Sequence, residues 1–507
     1  MNDVSEAIAK PDFSSFIGPQ LRVSRWVCWL VAGFVGSFLV LTIKPGQPWD
    51  GDGELFILNS LNILHGNSYA STNYLVNPEH AIHPAAYPPG LPLLLVPIIS
   101  AFGIDYAAIK IALCLCYSML IFLFIIISDL LNSRAFVFIL VFALGLNPFI
   151  MNFKEFIFSE FPFMLFSYAG IFFFEKLYIS IINRTSAWSQ FFWVLASAGA
   201  VAIAFEIRAI GIVLFATLAA VSAGRFAQLR YFGIAVMLLA IAGAATVGRS
   251  FPGDLGTYAS YFNSGSADAI WALIGGIPHS GMVYVRAIAE LFAGGGELSI
   301  VSLIIVSFIL LSIVNGLCLS LINKPNGFDI FFILYFIAII VYPVSEEPVR
   351  YALPLFPMGI FYFLHAAQSW TCLPDRAGLK ACLVCASLIA LYLPQYARLG
   401  ADVAVSVDDL LAKELYREIQ RQVPSDAVVV CSKPTIVALY GQRKTTNPPK
   451  KPTSEEFRRF VAQVKATWLV ELRSPLYDEM SDVIPVVQED LESVFGNKLF
   501  TLYKIRT

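Results

Sequence analysis

Long apolar runs separated by short polar stretches constrain this chain more than any other feature. Residues 27–43, 122–127 within a longer stretch, 298–322 and 331–342 carry no charged side chain. Crossing a hydrocarbon core takes roughly 20 residues of helix, and a helix satisfies its own backbone groups without water. The chain is 57% hydrophobic and 14% charged, whereas soluble domains run at roughly 25% charged, so a water-soluble fold has nowhere to hide this surface. The expected class is an all-α polytopic membrane protein. A net charge of -2 supplies no basic field for nucleic acid.

Short loops rich in Lys and Arg stay on the cytoplasmic side. Lys10, Arg22 and Arg25 therefore put residues 1–26 inside, and the absence of a small-residue cleavage site makes the first span a retained anchor. Residues 44–107, with Asp50, Asp52, Glu54 and Glu79, form the first outer loop. Within it, residues 91–103 are apolar but too short to cross and open after Pro88-Pro89, which predicts a helix at the interface. A second span over 108–131 follows, and the same criterion gives about eleven spans over 27–397. Arg184, Arg225, Arg230, Lys324, Arg376 and Lys380 then fall inside, and residues 152–160, 206–208, 249–297 and 345–351 outside. Beyond the last span the composition turns polar. Residues 398–507 are expected to form a small extracytoplasmic α/β domain, with helices over 414–422 and 454–464 and strands over 427–431, 467–472 and 498–505. The basic cluster Arg443-Lys444 and Lys450-Lys451 in it reads as a solvated face.

A charge embedded in apolar sequence is costly unless paired or hydrated, so such residues are functional candidates. Four sets qualify. Trp49-Asp50-Gly51-Asp52-Gly53-Glu54 places three carboxylates among glycines, as a site, an acidic turn or a divalent-cation loop. Lys154-Glu155 and Ser159-Glu160 precede an apolar run, where Ser159 and Glu160 also suit a helix cap. Glu206 and Arg208 are expected as a local pair that lowers the cost of burial. Glu346-Glu347-Pro348-Val349-Arg350-Tyr351 offers a guanidinium that can hold a phosphate, or an interfacial anchor. His80 and His83 beside Glu79 make at most half a metal site, so no metal ligand is assigned. The eight cysteines lie mostly in apolar runs, Cys382-x-x-Cys385 included, and read as small hydrophobes.

The pattern Asp52-Gly53-Glu54-Leu55-Phe56, then Leu61-Asn62-Ile63-Leu64-His65-Gly66, then Tyr87-Pro88-Pro89-Gly90-Leu91-Pro92 resembles the first outer loop of the GT-C superfamily of polyprenyl-phosphate-sugar-dependent membrane glycosyltransferases. The likeness is greatest to the protein O-mannosyltransferases and aminoarabinose transferases. It covers about residues 25–225 and a second block, Arg350-Tyr351-Ala352-Leu353-Pro354-Leu355-Phe356-Pro357. The resemblance implies a GT-C-like bundle with the catalytic acid or base at Asp52, with Asp50 as the alternative. It implies a second acidic residue at Glu160, following Asn147-Pro148 and Phe158-Ser159, and an Arg-x-x-Gly step at Arg208-Ala209-Ile210-Gly211 that lacks the family's proline. Glu54, Tyr87, Arg208, Glu346, Arg350 and Tyr351 are the substrate-binding candidates on the same footing.

The implied reaction moves a sugar from a polyprenyl-phosphate donor to a lipid, glycan or protein acceptor with inversion. The implied place is the outer face of an inner (plasma) membrane. No cofactor is assigned; some members of the superfamily use a divalent cation, and the acidic triplet offers it a place. A transporter or flippase is the rival from another class, and would use the same charges at mid-membrane depth.

Overall fold

Residue 24 opens the first described segment of the computed structural model, which describes residues 24–49, 52–75, 87–130, 137–224, 227–252, 267–295, 299–323, 325–341, 347–369, 377–398, 405–473 and 480–506. The helices of the first half are α1 (Arg25–Leu41), α2 (Asp52–His65), α3 (Gly90–Phe102), α4 (Tyr106–Leu130), α5 (Val137–Gly145), α6 (Pro148–Phe153), α7 (Glu160–Ile182), α8 (Ala187–Ile207), α9 (Ile212–Gly224) and α10 (Ala227–Ser250). Those of the second half are α11 (Ala267–Ala293), α12 (Ile300–Asn323), α13 (Gly327–Val341), α14 (Pro348–Ala352), α15 (Phe356–Gln368) and α16 (Ala377–Tyr396). Among the described residues, six helices are long and apolar enough to cross a membrane: α4, α7, α8, α10, α12 and α16. Shorter apolar helices, such as α1, α3 and α13, stand beside them. Full-length helices thus account for six of the about eleven expected spans. Pro and Gly break other apolar runs into pieces, as between α5 and α6 and around Pro354 between α14 and α15.

The outer loop expected over 249–297 contains α11, a 27-residue helix. Its sequence carries Asp268, Arg286, Glu290 and an internal Pro278, which dilute the apolar signal, yet Tyr284, Leu291 and Phe292 are buried against the bundle. The 13-residue α3 is found where the interfacial helix was expected.

A polar module follows α16. Its helices are α17 (Leu410–Gln422), α18 (Pro434–Gly441), α19 (Ser454–Val464) and the short α20 (Ile484–Val487). Its strands are β1 (Val428–Cys431), β2 (Lys444–Thr446), β3 (Ala466–Leu472), β4 (Leu491–Gly496) and β5 (Phe500–Ile505), in the order β2-β1-β3-β5-β4. Strand β1 pairs in parallel with β2 and β3, which demands helical crossovers, and α18 and α19 supply them. The β3–β5 and β4–β5 pairs are antiparallel. Asn497 turns the β4–β5 hairpin, its Oδ1 accepting from the amides of Leu499 and Phe500 at 3.0 and 2.8 Å. The α18, β2 and β4 elements are additions to the expected helices and strands.

This module shares a core with the bundle. Trp49, 2% exposed, lies between Phe500 and Tyr416 with ring centroids 4.9 and 6.2 Å away. The backbone pairs Trp49 N to Val405 O at 3.0 Å and Val407 N to Gln47 O at 2.9 Å. The module therefore sits at the end of the bundle where α1 finishes and α4 and α7 begin.

Candidate active site

Four elements deliver charges to that same end. Asp52 is the first residue of α2, whose entry is packed tightly: a Cβ on Gly53 would lie 3.0 Å from Ile157 Cβ. Glu160 opens α7. Arg208 follows α8 in an extended conformation, φ -146 and ψ 129. Arg350 lies in α14, a short turn that begins at Pro348.

Arg350 ties the set together. Its Nη1 lies 2.8 Å from Asp52 Oδ2 and 2.7 Å from Glu347 Oε2, and its Nε lies 3.0 Å from Glu160 Oε1. Arg208 Nη1 donates to the same Glu160 oxygen at 2.5 Å and to Ser159 Oγ at 3.2 Å. Glu160 is fully buried, so an unpaired carboxylate there would be costly; two guanidinium groups offset that cost. Each guanidinium also rests on a ring, Arg350 on Phe158 at 3.6 Å and Arg208 on Tyr351 at 5.1 Å from the centroid. Burial alone would lower the pKa of Arg350, and the carboxylates of Glu160, Asp52 and Glu347 outweigh it and hold the guanidinium above its ordinary range.

Both oxygens of Asp52 are engaged, Oδ2 by Arg350 and Oδ1 by the Tyr87 hydroxyl at 2.9 Å. Its side chain remains 23% exposed, against 0% for Glu160. Arg350 Nη2 and Arg208 Nε and Nη2 make no hydrogen bond among the described residues. The result is an oriented, accessible carboxylate beside guanidinium donors left over for an anion.

Asp52, Glu160, Arg208, Arg350, Tyr351 and Tyr87 thus come together. Glu54 does not. Two residues apart on a helix point about 200° from one another, so Glu54 turns away from Asp52 into the interface with the C-terminal domain. For the same reason Asp52 and Glu54 do not converge on one cation. Asp50, Glu346, His80 and His83 lie outside the described residues. Among the described residues no group of three or more His, Cys, Asp or Glu side chains is placed to hold a metal.

Three local expectations are corrected. Ser159 stands at the N-cap of α7 without a capping bond; its hydroxyl serves Arg208 instead. The partner of Arg208 is Glu160, not Glu206, because Glu206 is still helical while Arg208 has left the helix and turns elsewhere. Lys154 and Glu155 belong to a buried latch. Glu155 contacts both Lys154 and Lys110 and accepts from Lys44 N at 2.9 Å, while the lysines donate to Thr42 O at 2.6 Å and Gly46 O at 2.5 Å. The latch anchors the chain between α1 and α2. Two residues that serve the site were missed: Phe158, an ordinary apolar residue in sequence, and Glu347, whose neighbour Glu346 was preferred.

No family model matches the sequence, and no curated protein matches it. Solved structures do. The archaeal oligosaccharyltransferase AglB from Archaeoglobus fulgidus, in complex with an inhibitory peptide and a dolichol-phosphate, superposes with a TM-score of 0.59 at 10% identity, over 95% of this chain and 74% of that one. ArnT from Cupriavidus metallidurans bound to undecaprenyl phosphate gives 0.58 at 12% identity, over 94% and 98%. The mycobacterial arabinofuranosyltransferase AftD gives 0.52 at 13%, over 96% of this chain and 40% of its own length. The likeness is one of fold: the chain shares the fold of these membrane proteins, in keeping with its helices long and apolar enough to cross a membrane.

Proposed function

We propose that this GT-C chain is an inverting glycosyltransferase that moves a sugar from a polyprenyl-phosphate donor to a lipid, glycan or protein acceptor at the outer face of the plasma membrane. The observation that carries the proposal is the Arg350 bridge between the accessible Asp52 and the buried Glu160 at one end of the bundle. The donor's phosphate takes the unused guanidinium edges of Arg350 and Arg208. Asp52, oriented by Tyr87, accepts the proton of the acceptor X–H as X forms its bond to the anomeric carbon. The bond from that carbon to the phosphate oxygen breaks, and the polyprenyl phosphate leaves with the electron pair. The negative charge it gains is stabilised by the two guanidinium groups, already in place and partly dry. Glu160 contributes by holding both of them. A phosphate leaving group needs no protonation, so one accessible carboxylate suffices. Phosphate-bearing lipids in the AglB and ArnT structures support this donor class. Charges at helix ends, and not at mid-depth, weigh against a transporter.

The test is transfer from radiolabelled polyprenyl-phosphate sugars to endogenous acceptors, in membranes carrying the wild type or Asp52→Asn. General bases contribute about 10²- to 10⁴-fold, so transfer should fall by that factor with expression and insertion unchanged. Undiminished transfer in Asp52→Asn would remove Asp52 as the base, and no transfer from any donor would remove the activity.

A further inference from the structure

Glu54, which the proposed chemistry leaves unused, is fully buried, and its Oε1 accepts from the Tyr106 hydroxyl at 3.3 Å. Tyr106 is in turn in hydrogen-bond contact with the hydroxyl of Tyr440, on α18 of the C-terminal domain. A tyrosine hydroxyl has a single proton. With that of Tyr106 directed to Glu54, its oxygen is left to accept from Tyr440. The Tyr440 ring stacks on Tyr416 at 4.8 Å, so its own position is set by the domain's core. The same domain holds both ends of the segment that carries α2. Trp49 and Gln47 pair with Val405 and Val407 on one side. On the other, Leu75 N donates to Thr445 O at 2.8 Å, Thr445 N to Asn73 O at 2.9 Å, and the Tyr74 hydroxyl to Asn447 Oδ1 at 3.0 Å.

We propose that the C-terminal domain is a working part of the transfer site: through Tyr440 and Tyr106 it holds Glu54, and so sets the rotation of α2 that presents Asp52 to Arg350. A helix turns as a unit, so a carboxylate pinned on one face fixes the direction of its neighbour on the opposite face. Tyr440, Tyr106 and Glu54 are positioning residues; none touches the reacting atoms. The inference rests on the role of Asp52 proposed above.

Tyr440→Phe tests it, because it removes the hydroxyl and keeps the ring on Tyr416. Transfer kinetics against donor concentration are measured together with amide hydrogen exchange. The expected result is a turnover about three- to tenfold lower, the cost of one hydrogen bond to orientation, with donor KM unchanged. Exchange in the first turn of α2 should quicken while that of β1 and β3 does not. On a Glu54→Gln background, Tyr440→Phe should have little further effect, and Arg458→Ala, in an exposed pair with Asp490 on the same domain, should leave turnover alone. Wild-type turnover and exchange in Tyr440→Phe, or effects of the two substitutions that simply multiply, would overturn the proposal. Transfer that survives Asp52→Asn would sink the base assignment alone, and the exchange measurement would still decide whether the domain controls α2.

Discussion

Arg350 Nη1 lies 2.8 Å from Asp52 Oδ2, across 298 residues of sequence, and the same guanidinium reaches Glu160 through Nε. One planar group thus binds the accessible carboxylate and the buried one at once. A point charge on a flexible stem has no such geometry.

Arg350→Lys should therefore keep the charge and lose the bridge. Transfer is expected to fall by about a hundredfold, the usual loss when one preorganised donor to a developing anion is removed. Full activity in the Lys variant, assayed with the same labelled donor, would show that charge alone is enough. The pH dependence follows with a definite sign. A group whose folded pKa is raised contributes stability that is present below its unfolded pKa and lost only as pH rises through the folded value. Arg350 is raised from a range already far above neutrality, so melting curves should show no arginine-linked loss between about pH 6 and 10.

Glu160→Gln removes the buried charge that two partly exposed guanidinium groups share. Breaking a buried pair from one side costs about 3–5 kcal/mol, so a marked drop in melting temperature in detergent is expected. Glu347→Gln breaks a pair to the same Arg350, but that side chain is 49% exposed, and the loss should be about 0–1 kcal/mol. Equal losses in the two variants would mean that burial is not what gives Glu160 its weight.

Gly90 marks where the start of α3 meets the end of α8. A Cβ there would lie 2.6 Å from both Glu206 C and Ile207 N, backbone atoms with no rotamer to change. Gly90→Ala should cost about 1–3 kcal/mol by overpacking. Gly199→Ala, inside α8 with nothing within 4 Å of the added carbon, should stabilise by about 0.5–1 kcal/mol. Thermal unfolding of the pair checks the contrast, and equal effects would contradict the close approach.

Much of the architecture follows from local regularities. An uninterrupted apolar run can only be buried in lipid or protein, so α4 and α12 are legible without any knowledge of their neighbours. The helix expected over 454–464 is found as α19, closed at its start by a reciprocal Thr453 and Glu456 cap. Where charge and proline dilute the pattern, as in α11, that legibility ends. Part of the misassignment was avoidable. Once residues 52–65 are taken as a helix, the 100° per residue rule alone separates Glu54 from Asp52.

The sequence by itself determined a membrane-embedded helical bundle, the chemical inventory of acids and arginines at its loops, and a polar α/β module at the end. Tertiary structure alone decided which charges meet: Arg208 with Glu160 and not Glu206, Glu155 with two lysines, Glu54 with the C-terminal domain. The physical reason is range. Apolar periodicity acts within a few residues of helix, whereas the partner of a buried charge is chosen by whichever helix ends the packing brings within about 4 Å, and no local pattern encodes that distance.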